Sequence, residues 1–174
     1  VAGIYGTAGA VRVNCLYWLD ERVAGSCVPS AESVVEWVRA GVRTVITLAE
    51  SWELEHYGRW DPREFRRVLE KSGIKWVHWP TQDGRAPRDL HDLAEIIALE
   101  ASRGAVVVHC VGGVGRTATA LAAYLVLTKC LSADDAIQEV QRANPLISVT
   151  DEQYLALLEV EVSARDRCRQ ARKV

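Results

Sequence analysis

Val106–Thr117 reads VVVHCVGGVGRT. A β-branched apolar run ends at His109 and Cys110. Glycines stand at Gly112, Gly113 and Gly115, and Arg116-Thr117 open a long, largely apolar helical pattern. The pattern is that of a buried strand that breaks into a glycine-rich loop and continues as a helix. Successive N–H groups of such a loop converge into an anion-binding nest. The helix start adds unpaired N–H groups and the positive end of its dipole. Val111, Gly112, Gly113, Val114 and Gly115 would then surround an anion, with Cys110 at one end of the loop and Arg116 at the other. Arg116 offers a planar fork to two oxygens of a phosphate or other tetrahedral oxyanion. The loop lacks Gly-Lys-Ser/Thr, which excludes the nucleotide-cradling loop of ATPases and GTPases.

Outward from this stretch, strands and helices alternate. Val42–Leu48 and Ile74–Trp79 have the apolar, β-branched character of buried strands, as does Ala105–Val108. A short β segment is expected over residues 16–24, around a turn at 20–22. Ser30 can cap a helix that Gly41 ends, and Pro62 starts another that Gly73 ends. Leu90, Leu93, Ile96, Ile97 and Ala101 share one face of a helix over residues 88–102. The helix from Arg116 to Lys129 is too apolar to be a surface helix. Ser132 and Thr150 cap two more, and residues 49–61 read as a long connection. The expected fold is α/β: a single domain with a central, largely parallel sheet flanked by helices on both faces. Its boundaries are residues 16–165, with an extension over 1–15 and a basic tail over 166–174. Parallel strands place their C-terminal ends on one edge, where open α/β sheets bind ligands. The loops carrying Glu53, Asp83 and Cys110 therefore share one rim.

His109-Cys110, then Arg116-Thr117 after five intervening residues, with Gly113 between, resembles the signature of the cysteine-dependent protein tyrosine and dual-specificity phosphatases. The glycine-rich form and the chain length are most like the compact archaeal members, and the similarity covers roughly residues 16–160. The resemblance implies a protein phosphatase acting on phosphotyrosine, and on phosphoserine and phosphothreonine, through a phosphocysteine intermediate. It implies no cofactor and no metal. Cys110 would be the nucleophile, favoured as a thiolate by the helix start and Arg116. Thr117 would hydrogen-bond the sulfur and make it a better leaving group. Asp83, in a loop well before the cysteine, would be the general acid and then the base for water; Asp89 and Asp92 are poorer candidates inside the next helix. His109 would hold the geometry of the cysteine. Gln153 matches a water-placing glutamine of related enzymes, although Thr150-Asp151-Glu152-Gln153 is equally a capping box and Val149 stands where relatives often carry a second glutamine. Glu53 would either tether Arg116 or lie on the surface.

Composition bounds the alternatives. The 174 residues are 49% hydrophobic and 25% charged, with a net charge of −2. These values suit a globular domain and give no drive toward nucleic acid or an anionic membrane. No apolar run approaches the ~20 residues of a membrane span, and the first fifteen residues make a poor signal peptide. A cytoplasmic monomer acting on phosphorylated proteins or peptides is the expectation. Five cysteines show no zinc spacing, and in the cytosol most should be free. The absence of Met and the abundance of Arg, Val and Ala point softly to a thermophile, which leaves an intracellular disulfide open. Rival readings are a phosphoinositide or RNA 5′-phosphatase, a catalytically inactive phosphopeptide-binding module, and a sulfurtransferase. The first calls for basic residues where Val111 and Val114 stand, and the second for loss of Cys110, Arg116 or Asp83.

Overall fold

The structure, a computed structural model, describes residues 15–173. The proposed extension therefore lies outside the described residues except for Cys15. Among the described residues five strands form one sheet in the order β1-β2-β5-β3-β4, with β1 Tyr17–Trp18, β2 Val23–Ser26, β3 Val42–Thr47, β4 Lys75–His78 and β5 Ala105–His109. Only β1 is antiparallel; β2, β5, β3 and β4 run the same way. The largely parallel α/β sheet expected from the alternation is present.

Along β5 the side chains alternate between two cores. Val106 and Val108 face the cluster that contains Leu93, Leu121 and Leu157, whereas Val107 faces Trp37 and Phe65. The first side is covered by α4 Leu90–Ala101, α5 Arg116–Lys129, α6 Ala133–Ala143 and α7 Asp151–Ala171. The second is covered by α1 Ala31–Arg39 and α3 Pro62–Lys71. A strand buried on both faces can be apolar at successive positions, as β5 is from Ala105 to Val108. α5 is buried from Arg116 to Leu127, which accounts for its near-uniform apolarity. Ser30, Ser132 and Thr150 cap their helices through side-chain oxygens, as their sequence positions predict, and Asp61 does the same for the helix that Pro62 starts. Among the described residues no helix is long and apolar enough to cross a membrane.

Two expectations are corrected. The connection over residues 49–61 is not irregular: it folds as a single turn, α2 Ser51–Glu53, followed by a π-helical turn over Leu54–Gly58. Its apolar content was too sparse to register as a helix, and Leu54 alone is buried within the π-helical turn. The cysteines are not mostly free. Cys15–Cys27 and Cys130–Cys168 are disulfides, with Cα–Cα distances of 5.8 and 5.7 Å, and Cys110 is the free thiol. Cys130 sits just past α5 with a left-handed backbone that turns the chain, and α7 brings Cys168 against it. The basic residues before Ala171 continue α7.

Candidate active site

β5 lies between β2 and β3, so the loop that follows it is supported from both sides. Val28 N–H donates to Val111 O at 2.9 Å, and Leu48 N–H donates to His109 O at 2.8 Å. Gly113 has φ +74°, and a Cβ there would lie 2.7 Å from the Ser26 carbonyl oxygen. Only glycine meets both conditions without displacing backbone. The Tyr17 hydroxyl donates to Gly113 O at 2.6 Å, and Ser148 N–H donates to Val114 O at 2.9 Å. Carbonyls of the loop are thus engaged from outside it. The Gly113 N–H turns inward to the Cys110 sulfur, toward the centre where an anion would sit in a nest.

Cys110 is 3% exposed at the base of this loop. Its Sγ accepts the Gly113 N–H at 3.2 Å and the Thr117 hydroxyl at 3.1 Å. Two donors converge on the sulfur, an arrangement that stabilises negative charge there. Burial, and the nearby Cys110, raise the pKa of the Tyr17 phenol, which keeps it protonated as the donor to Gly113.

His109 is fully buried within a directional hydrogen-bond chain. Its Nδ1 lies 2.9 Å from Cys110 O, which can only accept, so Nδ1 carries the proton. Nε2 then accepts from the Thr47 hydroxyl at 2.7 Å, and Thr47 Oγ1 accepts from Trp76 Nε1–H at 2.8 Å. Burial, reinforced by His78 and Arg116, pushes the imidazole pKa down to about 4. A neutral ring with both nitrogens engaged holds the backbone of the cysteine.

Arg116 is 2% exposed and bound on three sides. Nη1 and Nη2 donate to the two oxygens of Glu53 at 2.6 and 3.0 Å, and Nη1 also donates to Thr81 O at 2.7 Å. Glu53 is itself buried, so of the two readings left open for it the tether is the one realised, and the surface position is not. Nη2 lies 3.6 Å from Asp83 Oδ1. The Arg116 Nε is the buried side-chain polar atom with no partner among the described residues. By the planarity of guanidinium, Nε–H and the adjacent Nη2–H form one edge. That edge is the part of the fork Glu53 does not occupy.

Asp83 stands in the loop after β4, its side chain 84% exposed. The N-terminal turn of α7 backs this loop. Gln153 completes the capping box with Thr150, and its Nε2 donates to Arg85 O at 3.0 Å. Of the two readings of Gln153, the capping box is built into the structure, and the side chain also holds the Asp83 loop. Asp89 stands not inside the helix, as expected, but just before α4, with a left-handed backbone and no side-chain bond to the helix start, and Asp92 lies in the first turn.

The structure therefore brings Cys110, Arg116, Thr117, His109, Glu53, Asp83 and Gln153 to one edge of the sheet. Sequence reasoning missed Thr47 and Thr81, which bond His109 and Arg116, and Trp76 and Tyr17, which bond Thr47 and Gly113 behind them. A threonine inside an apolar buried strand was the one signal available for Thr47, since a buried hydroxyl needs a partner. Among the described residues no three His, Cys, Asp or Glu side chains gather into a metal-holding group.

A mostly parallel α/β sheet whose central strand ends in a cysteine loop closed by a buried arginine defines the cysteine-phosphatase class of fold. A family profile described as "Polymorphic toxin system, DSP-PTPase phosphatase" matches residues 22–129, and the chain belongs to that family of dual-specificity-type phosphatases. The chain is 26% identical over 155 residues to protein tyrosine phosphatase domain-containing protein 1 of Danio rerio, a match covering 82% of this chain and 22% of that protein. It is 38% identical over 79 residues to protein tyrosine phosphatase type IVA 3 of Homo sapiens, covering 42% and 45% of the two chains. The chain thus spans about a fifth of the first of these relatives and under half of the second. Among solved structures, Tk-PTP in its active form superposes with a TM-score of 0.72 at 32% identity, covering 84% of this chain and 96% of that one. PTPMT1 superposes with a TM-score of 0.77 at 24% identity, covering 89% and 99%, a likeness of fold.

Proposed function

We propose that this protein is a protein phosphatase that hydrolyses phosphotyrosine, and also phosphoserine and phosphothreonine, through a phosphocysteine intermediate on Cys110. The observation that carries the reading is the pairing at the loop's centre. A buried cysteine sulfur receives two hydrogen bonds, and the buried arginine that closes the loop keeps its Nε unpartnered among the described residues. An orphaned buried donor is costly unless a ligand satisfies it. A phosphoryl group offers the oxygens to do so.

In this scheme Cys110 Sγ attacks phosphorus and the P–O bond to the substrate breaks. Loop N–H groups and the Nε/Nη2 edge of Arg116 bind the equatorial oxygens, where charge is held through the transition state. Protonated Asp83 gives its proton to the departing oxygen. Asp83, now a carboxylate, takes a proton from water, the water oxygen attacks phosphorus and the S–P bond breaks. The thiolate returns to the Gly113 and Thr117 donors, and inorganic phosphate leaves. Glu53 fixes the fork that Arg116 presents. His109 fixes the cysteine backbone and takes no proton.

The substrate class is supported by what surrounds the loop. Val111 and Val114 add no charge, and Trp52, 54% exposed, stands immediately before Glu53. An aryl phosphate on a protein suits that rim better than a polyphosphorylated headgroup. The names of the relatives point the same way. PTPMT1, with 23% identity, has been solved in complex with PI(5)P. Turnover of that lipid exceeding turnover of a phosphotyrosine peptide would reverse the choice.

The deciding experiment is hydrolysis of an aryl phosphate with EDTA present, by the native protein and by Cys110→Ser. Activity that survives EDTA and vanishes in the variant supports the mechanism. Equal activity in both would make Cys110 structural. Inactivity of both would favour a phosphopeptide-binding module, and thiocyanate formation from cyanide would favour a sulfurtransferase.

A further inference from the structure

The loop that carries Asp83 is held from one side by the first turn of α7. The Thr150 hydroxyl donates to Gly84 O at 2.9 Å, and Gln153 Nε2 donates to Arg85 O at 3.0 Å. Between them Glu152 takes hold of the loop twice. Its Oε1 accepts from Arg85 Nη1 at 2.8 Å and its Oε2 accepts from the Ala86 backbone N–H at 3.0 Å. All these contacts fall on the three residues directly after Asp83.

Thr150 and Gln153 also cap their own helix, so their presence is explained without the loop. Glu152 is different. A glutamate in a first helical turn gains from the dipole wherever it points, but both oxygens of this one are spent on another segment. Arg85, and then the Ala86 amide, hold its carboxyl below the usual range, so the grip persists in mildly acidic solution. Among the described residues Asp83 itself has no comparable contact. Its side chain is 84% exposed, and the charged group beside it is Arg116 at 3.6 Å. Gly84, at φ +79°, follows it and makes a turn that only glycine takes without strain. The position of the carboxyl is therefore set by the backbone of the loop, and that backbone is set by α7.

We infer that Glu152 is a positioning residue for general-acid catalysis: through Arg85 and the Ala86 amide it holds the loop where Asp83 reaches the leaving oxygen. This rests on the proposed role of Asp83 as the acid. A carboxylate that binds both a side chain and a backbone amide restrains translation and rotation of the loop together. Without it the loop samples positions from which the proton cannot be delivered, and the loss falls on the step that needs a proton.

That step can be isolated by leaving group. Phenolate departing from phenyl phosphate needs the proton, whereas dinitrophenolate departing from 2,4-dinitrophenyl phosphate does not. The experiment compares kcat/KM on both substrates for the native protein, Glu152→Ala, Glu152→Gln and Asp83→Asn. Asp83→Asn is expected to lose ~100-fold or more on phenyl phosphate and far less on the dinitrophenyl ester, the size of a general-acid contribution. Glu152→Ala is expected to lose about tenfold on phenyl phosphate and less than about twofold on the dinitrophenyl ester, a fraction of that same contribution. Glu152→Gln keeps an acceptor for Ala86 N–H and should fall between. If Glu152→Ala lowers both substrates equally, or neither, while Asp83→Asn is selective, the clamp is refuted and the acid stands. If Asp83→Asn is not selective, the acid assignment fails and the clamp falls with it. Glu152 is about half exposed, so the alanine variant folds, and an unchanged melting curve checks this.

Discussion

Removing Glu53 should destabilise the protein before it affects chemistry, because Arg116 is held at a cost in desolvation. Both side chains are nearly sealed from water, at 2% and 4% exposure, and they meet through two hydrogen bonds of 2.6 and 3.0 Å. Burial works most strongly against the charge on Arg116, but the Glu53 bonds, together with the charges of Cys110, Glu53 and Asp83, outweigh it and raise its pKa. Breaking a buried pair by deleting one partner costs about 3–5 kcal/mol, since the other charge stays buried. Thr81 O and the nearby Asp83 still serve Arg116, so the low end, ~3 kcal/mol, applies to Glu53→Ala. At roughly 2–4 °C per kcal/mol for a chain of this size, Tm should fall by about 6–12 °C. Glu53→Gln keeps the shape and one good acceptor and should cost about 2 kcal/mol, the value of a charged hydrogen bond. The assay is thermal unfolding with and without saturating vanadate. An oxyanion on the free edge of Arg116 supplies the missing negative charge, so the anion should stabilise the variant more than the native protein in proportion to occupancy. A loss under ~1 kcal/mol would refute the reasoning, because it is the size expected of a solvent-screened pair. Equal stabilisation of both proteins by vanadate would show that Arg116 does not face the anion.

Gly113→Ala forces a Cβ to 2.7 Å from Ser26 O at φ +74°. The loop must shift, and kcat/KM should fall ~100-fold, the scale of losing one oxyanion donor; steady-state kinetics on an aryl phosphate read it. His109 titrates at about 4 in the fold against 6.5 ordinarily. The unfolded chain then binds more protons between those values, so stability is full above ~6.5 and falls toward pH 4 by at most about 3 kcal/mol. Urea unfolding across that window should show this acid limb flattened in His109→Gln. Cys130–Cys168 spans a sequence separation of 38. On the chain-entropy model its loss in Cys168→Ser removes about 4 kcal/mol, or roughly 8–16 °C of Tm, and a non-reducing melt that does not move would refute it.

The sequence by itself determined the parts that depend on neighbours along the chain. A β-branched run, three close glycines and an arginine at a helix start are local signals, and they placed the strand, loop and helix around Cys110. Alternation of strands with helices made the sheet parallel, and a parallel sheet brings the loops of Glu53, Asp83 and Cys110 to one edge. The caps at Ser30, Ser132 and Thr150 were equally readable, because each acts within one turn.

Tertiary structure decided which groups meet. Glu53 finds Arg116 across 63 residues, and Arg85 finds Glu152 across 67. A surface glutamate and a buried one are spelled alike, and only packing around the π-helical turn sealed Glu53 from water. The Tyr17 hydroxyl reaches Gly113 across 96 residues because β1 pairs with β2, whose last residue, Ser26, lies against Gly113. The disulfides depend in the same way on α5 and α7 meeting, and on the segment after β2 running past Cys15. Hydrophobic period and turn chemistry are short-range, so they specify elements and the edge on which a site forms. The partners that hold each charge in place are chosen by the burial of distant segments against one another, and no local pattern records that choice.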